Sequence, residues 1–299
     1  MPTRADQSSL LTFLHIPKNG GSTLNHIIGR QYPWQTVFWF SYDRPELVSQ
    51  FEAMDEKQWA ELRCLGGHFP FGIHEECPRT ASYITMLRDP VARFISEYGH
   101  LQRGERSGRW WPPRDRLKSL ADFLDYRIET NGMDVQTRFI SGNMPAPGAE
   151  PPLDPLPVDA LERAKENLKK HFIVVGLTDR FDESLLLMKD RLDWQSRIFY
   201  SRKNTAPQPT SYADIPADVL DRITEHTQID AELVRFAGEL LDEAISEEGE
   251  AFQKDLRKLQ RVNHTLFMLK STLNRVFPPA VRNAPGIRHV SALGHKLLR

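Results

Sequence analysis

Near its start the chain passes from a continuous apolar run, LLTFLHI at 10–16, through PKNGGST to the helix-like TLNHIIGRQY. An apolar run without polar alternation fits a strand buried on both faces, the kind that builds parallel sheets. Two glycines let the backbone turn tightly and approach a ligand, and the start of a helix offers N–H groups that favour an anion. Lys18 brings a positive charge; Ser22 and Thr23 bring hydroxyls. Lys18, Asn19, Gly20, Gly21, Ser22 and Thr23 therefore make a candidate phosphate cradle. The order is not Walker A, because the lysine precedes the glycines and no Gly-Lys-Ser/Thr follows. A plain glycine turn with a solvated lysine would carry the same letters.

Buried-type runs recur at 36–40, 64–69, 82–87 and 172–177. Helical spacing lies between and after them, at 45–62, 91–102, 117–129, 134–140, 158–171 and 182–192. This alternation predicts a three-layer α/β domain with a central parallel sheet. Segment 144–157 holds six prolines in fourteen residues. Strands and helices continue beyond it, so it reads as an insertion in one domain spanning 1–249. Residues 218–247 are largely helical and acidic, and 252–277 form a basic helical stretch with apolar residues from Leu256 to Val276. Residues 250–299 read as a basic C-terminal extension.

The whole chain carries a net charge of −1, but the last fifty residues hold ten Lys/Arg against two Asp/Glu. The balanced total argues against a protein that coats nucleic acid. Hydrophobic residues make up 40% and charged residues 26%, which excludes a disordered chain. Cys64 and Cys77 are too few for a disulfide framework or a zinc site. No apolar run is long enough for a membrane span, and the polar start lacks a secretory pattern, so the expected compartment is the cytoplasm.

A second motif, LRDPVARFISEY, places Arg88 where a buried strand ends, the position at which open α/β sheets bind ligands. Ser96 follows eight residues later in the next helix. An arginine fork with a hydroxyl makes a second phosphate site, unless Arg88 pairs with Asp89. Arg93 could neutralise a ligand or pair with Glu97.

Both segments together resemble the cofactor signatures of carbohydrate sulfotransferases: HIPKNGGSTL and ITMLRDPVARFISEYGHLQRG, in that order and about seventy residues apart. The likeness is to the heparan sulfate 6-O-sulfotransferase branch, most of all through 98–104. Weaker likeness extends through NGMDVQTRFISG, 172–180 and 202–204. The resemblance implies a P-loop-like sulfotransferase fold and transfer of a sulfuryl group from 3′-phosphoadenosine 5′-phosphosulfate (PAPS) to a sugar hydroxyl. It assigns the 5′-phosphosulfate to residues 18–23 and the 3′-phosphate to Arg88 and Ser96. Two separate anion sites suit a donor with phosphates at two ends, and Lys18 can stabilise charge on the leaving oxygen. His68, in LGGHFPFG, resembles the family's histidine between the signatures and is the expected general base. A histidine bonded to a backbone carbonyl is its alternative. Of the rivals, His15 reads as a packing or positioning residue, and His74 as close enough to His68 to touch substrate. Gln136 and Arg138 match the family's QTR segment, with substrate contact or helix packing as readings. Arg202, Lys203 and Asn204 could close over the nucleotide. Loop 103–116, with Arg103 and Trp110, suits a sugar with acidic substituents. No clustered metal ligands are evident, and no metal is expected.

The basic tail has three readings: a helix covering the core, a peripheral contact with the anionic inner face of a membrane, or a collector of polyanionic acceptors. Animal members are membrane-anchored, and without such an anchor the expectation is a bacterial enzyme acting on a saccharide or lipid-linked sugar. A magnesium-dependent kinase and a non-catalytic glycan-binding protein are the other function classes.

Overall fold

The computed structural model describes residues 1–2, 4, 6, 8–103, 112–113, 117–144, 151–200 and 212–276. Within these, β1 (Leu10–Leu14), β2 (Val37–Ser41), β3 (Cys64–His68), β4 (Ala81–Leu87) and β5 (Phe172–Leu177) form one sheet in the order β2-β3-β1-β4-β5. Every pairing is parallel. The five apolar runs of the sequence are these five strands. β1 and β5 are buried along their whole length, which is why neither shows polar alternation.

Helices α1 (Gly21–Gln31), α2 (Pro45–Glu52), α3 (Glu56–Glu61), α4 (Pro90–Gln102), α5 (Leu120–Glu129), α6 (Val135–Ser141), α7 (Ala160–His171), α8 (Phe181–Arg191), α9 (Ala217–Glu225) and α10 (Gln228–Val276) flank the sheet. The expected α/β architecture with a central parallel sheet is therefore present. α5 starts three residues later than its apolar spacing suggests, because Ser119 and Asp122 form a capping box there. A second apolar cluster, including Phe94, Phe123 and Ile223, joins α4, α5 and α9.

α10 runs past the expected break, with one non-helical residue at Gly249. Phe252, Leu256 and Leu259 then sit in the main core. The basic segment thus begins as a helix packed on the body, and its apolar stripe is what holds it there. Farther along, Phe267 and Met268 are exposed.

The starts of α6 and α10 cap each other. Asp134, with φ 50°, makes no cap for its own helix α6. Its carboxylate accepts instead from the N–H of Asp230 in the first turn of α10 (2.9 Å). The Asp230 carboxylate in turn accepts from the N–H groups of Gln136 (3.1 Å) and Thr137 (2.7 Å) in the first turn of α6. Each acid satisfies the orphan donors of the other helix. Burial, and next the Asp230 charge, push the Asp134 carboxyl up to about 7. An acid whose folded pKa is raised binds more protons folded than unfolded, so its contribution to stability falls as pH rises. Asp134→Asn keeps the acceptor and removes the charge. Its stability relative to wild type should climb between about pH 4 and pH 7, as read by denaturant unfolding.

Candidate active site

Three neighbouring strands, β3, β1 and β4, end side by side at the carboxyl edge of the sheet. At strand spacing this brings His68, the loop after β1 and Arg88 across about 10 Å. The chain leaves β1 toward one edge and returns over it to β4, so the edge is a topological switch point, where such sheets bind ligands.

The loop after β1 is held in an uncommon conformation. Lys18 has φ 72° and Gly20 has φ 77°. A lysine in the left-handed region costs roughly 1–2 kcal/mol and persists only where its surroundings enforce it. α1 then starts with no side-chain cap and no acidic residue in its first turn, a terminus suited to an anion. A Cβ on Gly21 would lie 1.9 Å from His15 Nε2, so the helix reaches this position only with glycine there. Asn19 points the other way. Fully buried, its Nδ2 donates to the Met86 carbonyl and to Gln136 Oε1, both at 2.8 Å. Its side chain fastens the loop to β4.

Arg88 reaches that same loop. Its guanidinium donates to the Lys18 carbonyl at 2.9 Å. Asp89 does not claim Arg88; its carboxylate caps α4 through the Ala92 N–H (2.7 Å). Behind Arg88 lies a buried ionic cluster, in which Glu97 pairs with Arg93 at 2.9 Å and with Arg127 at 3.6 Å. Burial alone would raise the Glu97 pKa, but Arg127 and Arg93 outweigh it and hold the carboxyl below its usual range. Arg93 is therefore a structural partner of Glu97.

His68 Nδ1 lies 2.8 Å from the His15 carbonyl oxygen. A carbonyl can only accept, so Nδ1 carries the proton and Nε2 keeps its lone pair. The two imidazoles pack with centroids 4.4 Å apart. His68 is exposed to solvent, yet desolvation lowers its pKa, partly offset by the His15 carbonyl and by Asp43. Both hold when a ring lies in a recess: reachable, but flanked by protein. His15 is buried, and burial, His68 and Lys18 hold its pKa well below 6.5.

The remaining expected residues divide into those along α4 and those carried away from this edge. Ser96 lies two turns into α4 and is half-buried, with Gly99 and exposed Arg103 along the same helical face. Arg103 donates to the Gly99 carbonyl at 2.8 Å. His74 is not brought to His68. It bonds Tyr83 Oη at 2.8 Å and packs near His171, toward the amino end of the sheet. The chain between β3 and β4 has to cross the sheet to enter β4 in parallel, and it carries His74 with it. Arg138 is also turned away: buried, it donates to the carbonyls of Asn131, Asp154 and Met133. Gln136 likewise faces inward, not to a substrate. Trp110 and residues 202–204 lie outside the described residues. Among the described residues no group of three or more potential metal ligands occurs.

No family model matches the chain. Galactosylceramide sulfotransferase of Bos taurus is 26% identical over 239 residues, 75% of this chain and 55% of that protein. Heparan-sulfate 6-O-sulfotransferase 1 of Cricetulus griseus is 34% identical over 116 residues, 32% of this chain and 28% of that protein.

The chain is similar to carbohydrate sulfotransferases. The resemblance carried by the two motifs is borne out, and it extends to a galactosylceramide branch that the motifs alone did not single out. The chain spans about half the length, or less, of these curated relatives. Among solved structures, a sulfotransferase from Alicyclobacillus acidocaldarius aligns with a TM-score of 0.42 at 15% identity, over 78% of this chain and 96% of that one.

The His68 geometry is checked without substrate. Imidazole ¹⁵N NMR should find His68 as the Nδ1–H tautomer at neutral pH, titrating below the ordinary value of about 6.5. A predominant Nε2–H form would contradict the bond to the His15 carbonyl.

Proposed function

We propose that this chain is a sulfotransferase that moves the sulfuryl group of PAPS to a hydroxyl of a glycan or glycoconjugate. One observation carries the reading: the guanidinium after β4 bonds the backbone of the glycine loop after β1, next to an imidazole with a free Nε2. Two cationic loops at one edge suit a donor with phosphates at both ends. In this reading residues 18–23 and the start of α1 receive the 5′-phosphosulfate, and Arg88 with Ser96 receives the 3′-phosphate. His68 Nε2 takes the proton as the acceptor O–H bond breaks and the new O–S bond forms. The old S–O bond breaks in line, and its electron pair stays on the departing phosphate oxygen. Lys18 stabilises that charge, which the donor does not carry in the ground state. No step needs a metal.

Calorimetry with 3′-phosphoadenosine 5′-phosphate tests the donor site. Binding is expected, and Arg88→Ala should weaken it about 10- to 100-fold, the value of a lost charge-assisted hydrogen bond. His68→Ala should keep nucleotide affinity and lose about 10²- to 10⁴-fold in transfer. Preference for ATP with magnesium would replace the reading with a kinase.

The acceptor is assigned as a sugar on a larger carrier, and a lipid-linked sugar suits the outer face of α10. Lys254, Arg257, Lys258 and Arg261 are exposed there and have no ion pair among the described residues, and exposed Phe267 and Met268 follow. Cations at helical spacing next to exposed apolar side chains suit an anionic lipid surface, which supports a reading in which the protein sits at the inner face of a membrane. No helix among the described residues is long and apolar enough to cross one. The full chain should co-sediment with phosphatidylglycerol vesicles at about 0.1 M salt and not with phosphatidylcholine ones. Changing the four cations together to Glu should leave it in the supernatant. Wild type that never pellets overturns the membrane contact.

A further inference from the structure

The two anion loops are joined by a side chain that belongs to neither. Gln136 is fully buried. Its Oε1 accepts from Asn19 Nδ2 (2.8 Å) and from the Arg88 backbone N–H (2.9 Å). Its Nε2 donates to the Arg88 carbonyl (2.9 Å). The amide therefore pairs with both polar groups of the Arg88 backbone, as a neighbouring strand would, while its second lone pair holds Asn19. Asp230 fixes the amide from behind, accepting from the Gln136 N–H at 3.1 Å and from Nε2 at 3.4 Å.

We infer that Gln136 is a positioning residue that sets the separation of the two anion loops, and so selects a nucleotide with phosphates at both ends. Resting on the sulfotransferase reading, this adds a residue that touches neither donor nor acceptor. Only a carboxamide presents a donor and a two-lone-pair acceptor in one plane. A thioether or alkyl group would leave the Arg88 peptide and Asn19 without these partners, and a carboxylate has no proton for the Arg88 carbonyl. A ligand bound at both ends gains from its second contact only if that contact is already at the right distance. The Arg88 guanidinium bonds the first loop directly, at the Lys18 carbonyl, while Gln136 fixes the backbone from which that side chain reaches.

The test compares affinities for 3′-phosphoadenosine 5′-phosphate and adenosine 5′-monophosphate in wild type and Gln136→Met. Ligand-free thermal unfolding checks that the variant is folded. If it is not, Gln136→Asn, with an amide one methylene too short to span both loops, takes its place. Wild type should prefer the bisphosphate. The variant should lose about tenfold or more of that preference, because two to three hydrogen bonds of about 1 kcal/mol each set the spacing. Its affinity for the monophosphate, which engages the first loop alone, should stay within about threefold of wild type. A folded variant with the wild-type preference overturns the inference, and so does a parallel loss for both nucleotides, which marks general support only. Wild type with no preference for the bisphosphate overturns the sulfotransferase reading itself.

Discussion

Two loops that each carry a cation stand side by side at the end of one sheet. What holds them is a set of hydrogen bonds to amides and carbonyls. Arg88 bonds the Lys18 carbonyl, Asn19 bonds the Met86 carbonyl, and Gln136 bonds both loops. None of these links uses a carboxylate. The carboxylates nearby bond elsewhere: Asp89 caps α4, and Glu97 is taken by Arg93 and Arg127.

The same economy of charge shapes the imidazole. A histidine beside Lys18 and Arg88 has to be neutral to take up a proton. Desolvation lowers the His68 pKa, and His15 orients the ring through a carbonyl rather than a carboxylate. A carboxylate partner would raise the pKa and strengthen the base but leave more of it protonated at neutral pH. Asp43 supplies only a long-range pull in that direction. Because His15 also fills the space above Gly21, one residue links His68 to the start of α1.

Much of this was legible in the sequence, for identifiable reasons. Strands buried on both faces lose their polar alternation, so 10–16 and 172–177 announced themselves. The glycine loop and Arg88 sit at fixed offsets from strand ends, which fixes their edge of the sheet. Side-chain direction was less legible. Asn19 belongs to the motif by position but points into the body, and Arg138 is drawn inward by three carbonyls of the surrounding loops. His74 follows His68 by six residues, yet the return path to β4 carries it to the far edge. Gln136 and Asp230 are 94 residues apart, and nothing local reveals that one supports the other. A polar residue at a helix start gives a signal for its own helix only, so the exchanged caps of α6 and α10 could not be read from either alone.

The uneven charge of the chain follows from the same geometry. A site of this kind needs only a few cations, placed locally, and several carboxylates of the acidic body bond elsewhere. Asp134 and Asp230 cap helices, Glu232 and Glu239 pair with Arg235, and Asp242 pairs with Arg180. Those acids lie on the elements that carry or support α10. Arg235 aside, the described cations of α10 (Lys254, Arg257, Lys258 and Arg261) lie after Gly249, on the side opposite Phe252, Leu256 and Leu259, which anchor the helix to the core. A helix anchored by its apolar stripe has to present its other face outward, and on this helix that face is basic. Lys254, Arg257, Lys258 and Arg261 are thus directed outward by the packing that holds α10 in place.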